Sequence, residues 1–322
     1  MLTKARFAGG ALCCSALALL IALGRTSPPH ATTASVAPAS DEKDCRACHA
    51  AAWTEWKTSY HSRAWSDDQV QAAFQHFGFD RKCQSCHAPA GGLAEPDEPI
   101  AVREEHRETG VNCLNCHALA DGTVAAGRTI EGAPCRPRKS SLLGSSRACG
   151  GCHEAIYNDW QESRYQIEGK SCQTCHMPAA ADRPGGRSHQ CLGSHDDALV
   201  RSGAKMECRR EGDELIVSVT NHATGHNYPG ERHNRVLFLQ VIERSPAGEI
   251  VLAEQALIKG ITPFRGESSR ERIRIDQTFE ARFRVVDPPA TADVRLLYKP
   301  FPWYPDDQAL VVHRRQVELD SR

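Results

Sequence analysis

One five-residue pattern, Cys-x-x-Cys-His, occurs five times between Cys45 and His176. The copies are Cys45–Cys48–His49, Cys83–Cys86–His87, Cys113–Cys116–His117, Cys149–Cys152–His153 and Cys172–Cys175–His176. This spacing is the attachment signature of c-type haem. The two thiols add across the haem vinyl groups, and the His that follows reaches the iron from one side. Zinc ribbons and redox dithiols also use Cys-x-x-Cys. A ribbon needs two pairs brought together and gives the next His no role. A thioredoxin-like motif is normally single and starts a helix in a βαβ unit, and no strand pattern accompanies these copies. The residues therefore predict five c-type haems, with His49, His87, His117, His153 and His176 as proximal axial ligands.

The chain has 322 residues, enough for two domains, and a net charge of −1. No basic excess points to nucleic acid, and no lysine-rich patch points to an anionic membrane. Aromatic residues make up only 6%. Haems would supply flat apolar bulk in their place, and residues 41–204 are correspondingly poor in Leu, Ile and Val. At the N-terminus, Lys4 and Arg6 precede an uncharged Ala- and Leu-rich stretch from Phe7 to Gly24, and a Ser/Thr/Pro/Ala segment runs to about Ser40. That order reads as a secretory signal. The alternative is a retained anchor, since the stretch is near the lower limit for spanning a bilayer. Export agrees with the haem reading, because c-type haem is attached outside the cytoplasm. Of fifteen cysteines, ten lie in the motifs and two, Cys13 and Cys14, in the signal. Cys135, Cys191 and Cys208 remain, and at most one pair can form among them.

The haem segment contains an internal repeat. After His49 come Trp56, Ser59 and His61; after His153 come, at the same offsets, Trp160, Ser163 and Tyr165. Each half ends in a similar motif, Cys83-Gln-Ser-Cys-His-Ala-Pro89 and Cys172-Gln-Thr-Cys-His-Met-Pro178. The expected layout is a haem pair, a central haem at Cys113, and a second haem pair. Local structure reads as short helices and loops wrapped around the five covalent haems. Trp53, Trp56 and Tyr60 recur at helical spacing. Ser66-Asp-Asp-Gln69 has the form of a capping box. It would start a helix with an apolar face of Val70, Ala73, Phe74 and Phe77, ending at Gly78, with His76 solvated. Residues 88–105 and 118–145 read as loops.

From about Lys205 the patterning changes to period two. Leu215, Val217 and Val219 alternate with polar residues; Val236–Ile242 and Ile250–Ile258 flank the turn Ser245-Pro-Ala-Gly248. Ile273 and Ile275, then Phe279, Ala281, Phe283 and Val285, precede the turn Asp287-Pro-Pro289. Val294, Leu296 and Tyr298 follow, and Leu310–Leu319 closes the chain. This predicts an antiparallel β-sandwich of about seven strands. The expected organisation is a signal or anchor and linker at 1–40, a pentahaem domain at 41–204 and the sandwich at 205–322.

The sixth position of each iron decides between carrier and catalyst. A second His gives an electron carrier; an open site admits a substrate. The histidines left after the signal are His61, His76, His106, His189, His195, His222, His226, His233 and His313. His61 is the first candidate, at fixed spacing from Trp56. His189 and His195 lie just beyond the last motif. His226 lies in a turn-rich segment of the sandwich, from which it would dock the two domains. His106 sits seven residues before Cys113 and is a further candidate.

The chain resembles the cytochrome c554-type multihaem cytochromes. The resemblance is carried by Trp56…Ser59…His61, by Gly110-Val-Asn-Cys-Leu-Asn-Cys-His117 and by Cys172-Gln-Thr-Cys-His-Met-Pro178. His189–His195, and loosely Gly225-His226-Asn-Tyr-Pro229, match segments of members with a C-terminal sandwich. It covers roughly 41–245. It implies stacked, mostly bis-histidine haems and electron transfer in the periplasm or outside the cell, with donor and acceptor proteins unspecified. Two departures stand out. Tyr165 is where the repeat predicts His, and Cys135 is where such proteins often have a His ahead of the fourth motif. Either one iron is five-coordinate or bound by Tyr165 or Cys135, or another His substitutes, or these two residues simply pack.

Two functions follow. The first is an exported carrier passing electrons between redox partner proteins, with no nucleic-acid partner and membrane contact only through a retained N-terminus. The alternative is an oxidoreductase of a small nitrogen or sulfur compound at one open haem, with Tyr165 as its speculative catalytic residue. No Cys-x-x-Cys-Lys variant is present.

Overall fold

Short helices dominate the first part of the chain because each motif contributes one turn or two and a loop then breaks it. In the computed structural model, residues 42–94, 96–119, 121–230, 235–259, 272–286 and 291–319 are described. All of them belong to one compact unit, Val36–Arg322. The expected signal or anchor at 1–40, Cys13, Cys14, His233 and the Asp287-Pro-Pro289 turn lie outside the described residues. Among those described, no helix is long and apolar enough to cross a membrane.

The helices are α1 (Glu42–Cys48), α2 (Ala50–Thr58), α3 (Asp68–His76), α4 (Arg81–His87), α5 (Cys113–His117), α6 (Arg147–Gly150), α7 (Glu154–Gln161), α8 (Arg164–Ile167), α9 (Cys172–His176) and α10 (Asp197–Ser202). His49 ends one motif and N-caps α2, and His153 likewise N-caps α7. The α3 cap differs from the expected box. Asp67 rather than Ser66 is the N-cap, and its carboxylate accepts from the Gln69 N–H (3.0 Å) and the Val70 N–H (3.4 Å). Asp outperforms its neighbour because a charged acceptor also favours the positive end of the helix. Phe74 is the buried residue of α3; Phe77 is exposed rather than part of the apolar face, and His76 is exposed as expected. The expected 118–145 loop carries a short parallel ladder of β1 (Val124–Ala126) and β2 (Pro137–Lys139).

The sandwich has a three-stranded sheet, β3 (Ala204–Glu211), β4 (Glu214–Asn221) and β7 (Thr278–Arg284), in the order β3-β4-β7. Facing it is a four-stranded sheet of β5 (Val236–Arg244), β6 (Ile250–Lys259), β8 (Thr291–Lys299) and β9 (Leu310–Glu318), in the order β6-β5-β8-β9. All pairings within both sheets are antiparallel. Leu215, Val217, Val219, Leu237, Leu239, Val241, Val294 and Leu296 fill the space between them. Two expectations shift. Ile273 forms only an isolated bridge to Tyr228, whereas 204–211, with its buried Ala204 and Met206, is a strand. Val236–Leu239 is buried on both faces of the sheet, which explains its unbroken apolar run. The outer face holds Val236, Phe238 and Leu297. Beyond it the 300–305 segment reaches the haem part, where the Trp303 indole N–H donates to Gln69 and the Phe301 ring lies 5.5 Å from that of His195.

Candidate haem-binding site

The residues inside the motifs tie neighbouring segments together. Asn115 Nδ2 donates to the carbonyls of Pro89 and Gly91, both at 2.9 Å. Gln173 Nε2 donates to Leu143 O (3.0 Å) and Ser145 O (2.8 Å), and Gln84 Nε2 donates to Phe79 O. All three amides are buried, so each satisfies carbonyls that water does not reach. The fourth motif has glycine at both middle positions for a different reason. A Cβ at Gly150 would come 2.6 Å from Pro96 Cγ, and one at Gly151 2.5 Å from Ala94 O.

The repeat is real, and its partners differ from those expected. Trp56 Nε1 donates to Val111 O (2.8 Å), two residues before Cys113; Trp160 Nε1 donates to Lys170 O (2.9 Å), two residues before Cys172. Val111 N donates to His61 O, and Lys170 N to Tyr165 O, both at 2.8 Å. The structural halves are thus the first and third motifs against the fourth and fifth. The second motif lies in an insertion between His61 and Val111. Gly110, at φ +58°, is part of this joint, because a Cβ there would strike His61 O.

Three imidazole pairs face one another. His61 and His153, His117 and His189, and His176 and His226 each have ring centres 6.2 Å apart, with planes inclined at 36°, 26° and 21°. Two metal–imidazole bonds of about 2.0–2.1 Å in line, plus about 1.1 Å from each bonding nitrogen to its ring centre, place centres about 6.3 Å apart. Each pair therefore fits one six-coordinate iron between its rings. The hydrogen bonds select the nitrogens. Nδ1–H donates to Ala125 O in His117 (2.8 Å), Arg187 O in His189 (3.0 Å), Leu192 O in His176 (2.5 Å) and Asn227 O in His226 (3.1 Å). This commitment of Nδ1 leaves Nε2 for a metal, and it fixes tautomer and ring orientation. His87 Nδ1–H donates to Ala64 O (2.6 Å) in the same way.

Burial favours the neutral form of four of these rings. It is the main cause holding His61 at about 4, aided by His153 and His176, and holding His226 at about 4 against the opposing bond to Asn227. His117 and His189 are lowered for the same first reason. Neutral imidazole is the form that ligates. Among the described residues no three His, Cys, Asp or Glu side chains converge as a ligand set; the imidazoles meet in twos, as an axial pair does.

Residues 44–118 match the family model of cytochrome c554 and c-prime. In fold the chain is similar to a penta-haem cytochrome c552 from Thermochromatium tepidum, with a TM-score of 0.64 and 16% identity, covering 87% of this chain and 98% of that one. A hypothetical protein from Pyrococcus horikoshii OT3 aligns at 11% identity over 36% of this chain and 87% of its own, but its TM-score of 0.19 carries no argument. No curated protein matches the sequence.

The remaining candidates are placed differently. Tyr165 packs against Gly225 and takes a hydrogen bond from Arg164 Nη2 (3.2 Å). The ring facing that of His153 is His61. His195 stacks on Tyr60, with ring centres 3.7 Å apart. His106 is 79% exposed beside Glu108. His313 Nε2 bonds Ala204 O (2.7 Å) in the sandwich. Cys135 is exposed, and Cys135, Cys191 and Cys208 are all free thiols. The attachment cysteines cluster across motifs: Cys149 lies beside Cys172, and Cys152 beside Cys86. Helix α1 packs on α5, bringing the first motif to the third.

The amides at 84, 115 and 173 and the motif glycines were not singled out by the sequence reading. A buried polar residue inside an attachment motif is the signal that identifies them.

Proposed function

We propose that this chain is an exported pentahaem c-type cytochrome that carries electrons between redox partner proteins. Haem, held by the ten motif cysteines, supplies the reversible Fe(III)/Fe(II) step. The observation that supports the reading is the convergence of motifs. Thiols of the fourth motif lie beside those of the second and the fifth, so groups attached there would be neighbours. His61/His153, His117/His189 and His176/His226 serve as axial pairs, closing three sites to exchangeable ligands. With near-zero net charge the partners are proteins rather than nucleic acid. The Lys4–Gly24 segment would send the chain to the periplasm or beyond.

A spectroelectrochemical titration of the purified holoprotein tests this. The expected result is reversible uptake of one electron per motif, spread over a range of potentials. A protein with no covalent haem, or one that cannot be reoxidised without loss, would refute it.

A second reading, catalysis on a small nitrogen or sulfur compound at one open haem, is favoured by one feature, the Tyr165 that stands where the repeat predicts His. Carbon monoxide added to the reduced protein separates the two readings. No spectral change supports the carrier; a shift in one or two haems supports a substrate site.

A further inference from the structure

We propose that Asp159 and Arg272 form a clasp that positions His226, so that docking of the sandwich controls the sixth position of the iron at His176. The inference rests on the reading of His176 and His226 as an axial pair.

Asp159 lies on α7, in the haem part; Arg272 and the 221–230 loop belong to the sandwich. The two side chains are only 13% and 11% exposed. Arg272 grips the carboxylate through Nη1 to Oδ2 (2.5 Å) and Nη2 to Oδ1 (3.2 Å). This is the two-pronged arrangement that fixes orientation as well as distance. The same carboxylate accepts from Asn227, through Nδ2 to Oδ1 (2.9 Å) and N to Oδ2 (3.3 Å). Arg272 Nη1 also donates to Gly230 O (2.8 Å). One haem-side carboxylate thus binds the residue directly after His226, and through Arg272 it binds the far end of the same loop.

The rest of the loop is braced from within the sandwich. Asn221 Nδ2 donates to His226 O (3.0 Å), and Asn227 Oδ1 accepts from Ile275 N (3.2 Å). A Cβ at Gly230, φ +97°, would lie 3.5 Å from His226 Cε1, so the imidazole rests over bare backbone. Those contacts shape the loop from the sandwich side. On the haem side, Tyr165 packs on Gly225 and Arg164 Nη2 donates to His222 O (3.3 Å), both ahead of His226. Asp159 holds the residue directly after it. Its loss leaves Arg272 buried without that carboxylate and loosens the loop at His226. Asp159 and Arg272 are therefore positioning residues.

The test uses full-length, haem-loaded protein and four variants: His226→Ala, Asp159→Ala, Asp159→Asn and Arg272→Lys. Two readouts apply: carbon monoxide bound by the reduced protein, counted per haem, and the high-spin electron paramagnetic resonance signal of the oxidised protein. His226→Ala should open one haem of the five motifs. Asp159→Ala should open the same haem, combine with His226→Ala without further effect, and return to low spin when free imidazole is added. Arg272→Lys, which keeps charge but loses the fork, should give a smaller fraction. If Asp159→Ala does not fold, Asp159→Asn and Arg272→Lys decide. No change in His226→Ala refutes the axial pair itself. A change in His226→Ala but none in the folded clasp variants refutes the clasp and leaves the pair standing.

Discussion

Each paired histidine divides its labour between two nitrogens. In His117, His189, His176 and His226 one nitrogen is held by a backbone carbonyl, which leaves the other available to bond a metal. Residue by residue the consequences differ sharply. His189→Ala should convert one haem from low to high spin, read by electron paramagnetic resonance. His106→Ala should leave the spectrum unchanged, because that side chain points to solvent beside Glu108. The candidate ligand types were legible in the sequence, since Cys-x-x-Cys-His is a haem-attachment signature. His61, His189 and His226 were legible as candidates. Which ring each would face was not. Pairing crosses between halves of the repeat, with His61 of the first half opposite His153 of the second, and no local spacing encodes a contact made through folding.

At the scale of elements, the fourth motif is set by steric exclusion. Gly151→Ala drives a methyl group to 2.5 Å from Ala94 O, and backbone yields less readily than a side chain. The expected cost is about 1–3 kcal/mol, read as a lower melting temperature of the holoprotein. Ala47, exposed at the equivalent position of the first motif, should tolerate a larger residue with little change. In the sandwich, Asp293 joins Arg314 (2.7 and 3.0 Å) to Arg295 (2.9 Å). Burial raises its pKa, but the hydrogen bonds from Arg314 and Arg295 outweigh it and leave the carboxyl below its usual 3.8. A depressed carboxylate stabilises the fold above its unfolded pKa, and that contribution is lost as pH falls through the folded value. Asp293→Asn should therefore cost about 1 kcal/mol at neutral pH, with the deficit fading below about pH 4; thermal melts across pH check this. Most strands were legible because alternation of Leu, Val and Phe with charge has one physical meaning. The strand 204–211 was obscured by its charges, which line an outer face. Ile273 and Ile275 imitated a strand because their burial comes from the clasp loop, with Ile273 bridged to Tyr228.

At the scale of the molecule, two kinds of core share one chain. The sandwich closes on aliphatic side chains. The helical part instead converges its attachment cysteines and imidazoles, with little aliphatic residue to replace them. Removal of haem should therefore unfold residues 41–204 while leaving the sandwich strands formed. Circular dichroism of protein expressed without haem maturation should show strand signal and little helix. The change from helices to strands was legible from the shift in periodicity near Lys205. The way the parts engage was not, because Asp159 and Arg272 are 113 residues apart and look like ordinary surface charges. The central claim is that iron sits between facing imidazoles at His61/His153, His117/His189 and His176/His226. Quantitative electron paramagnetic resonance of the oxidised holoprotein, normalised to total haem, tests it most directly. Low-spin bis-imidazole signals for at least three haems are expected; fewer than three would contradict the account.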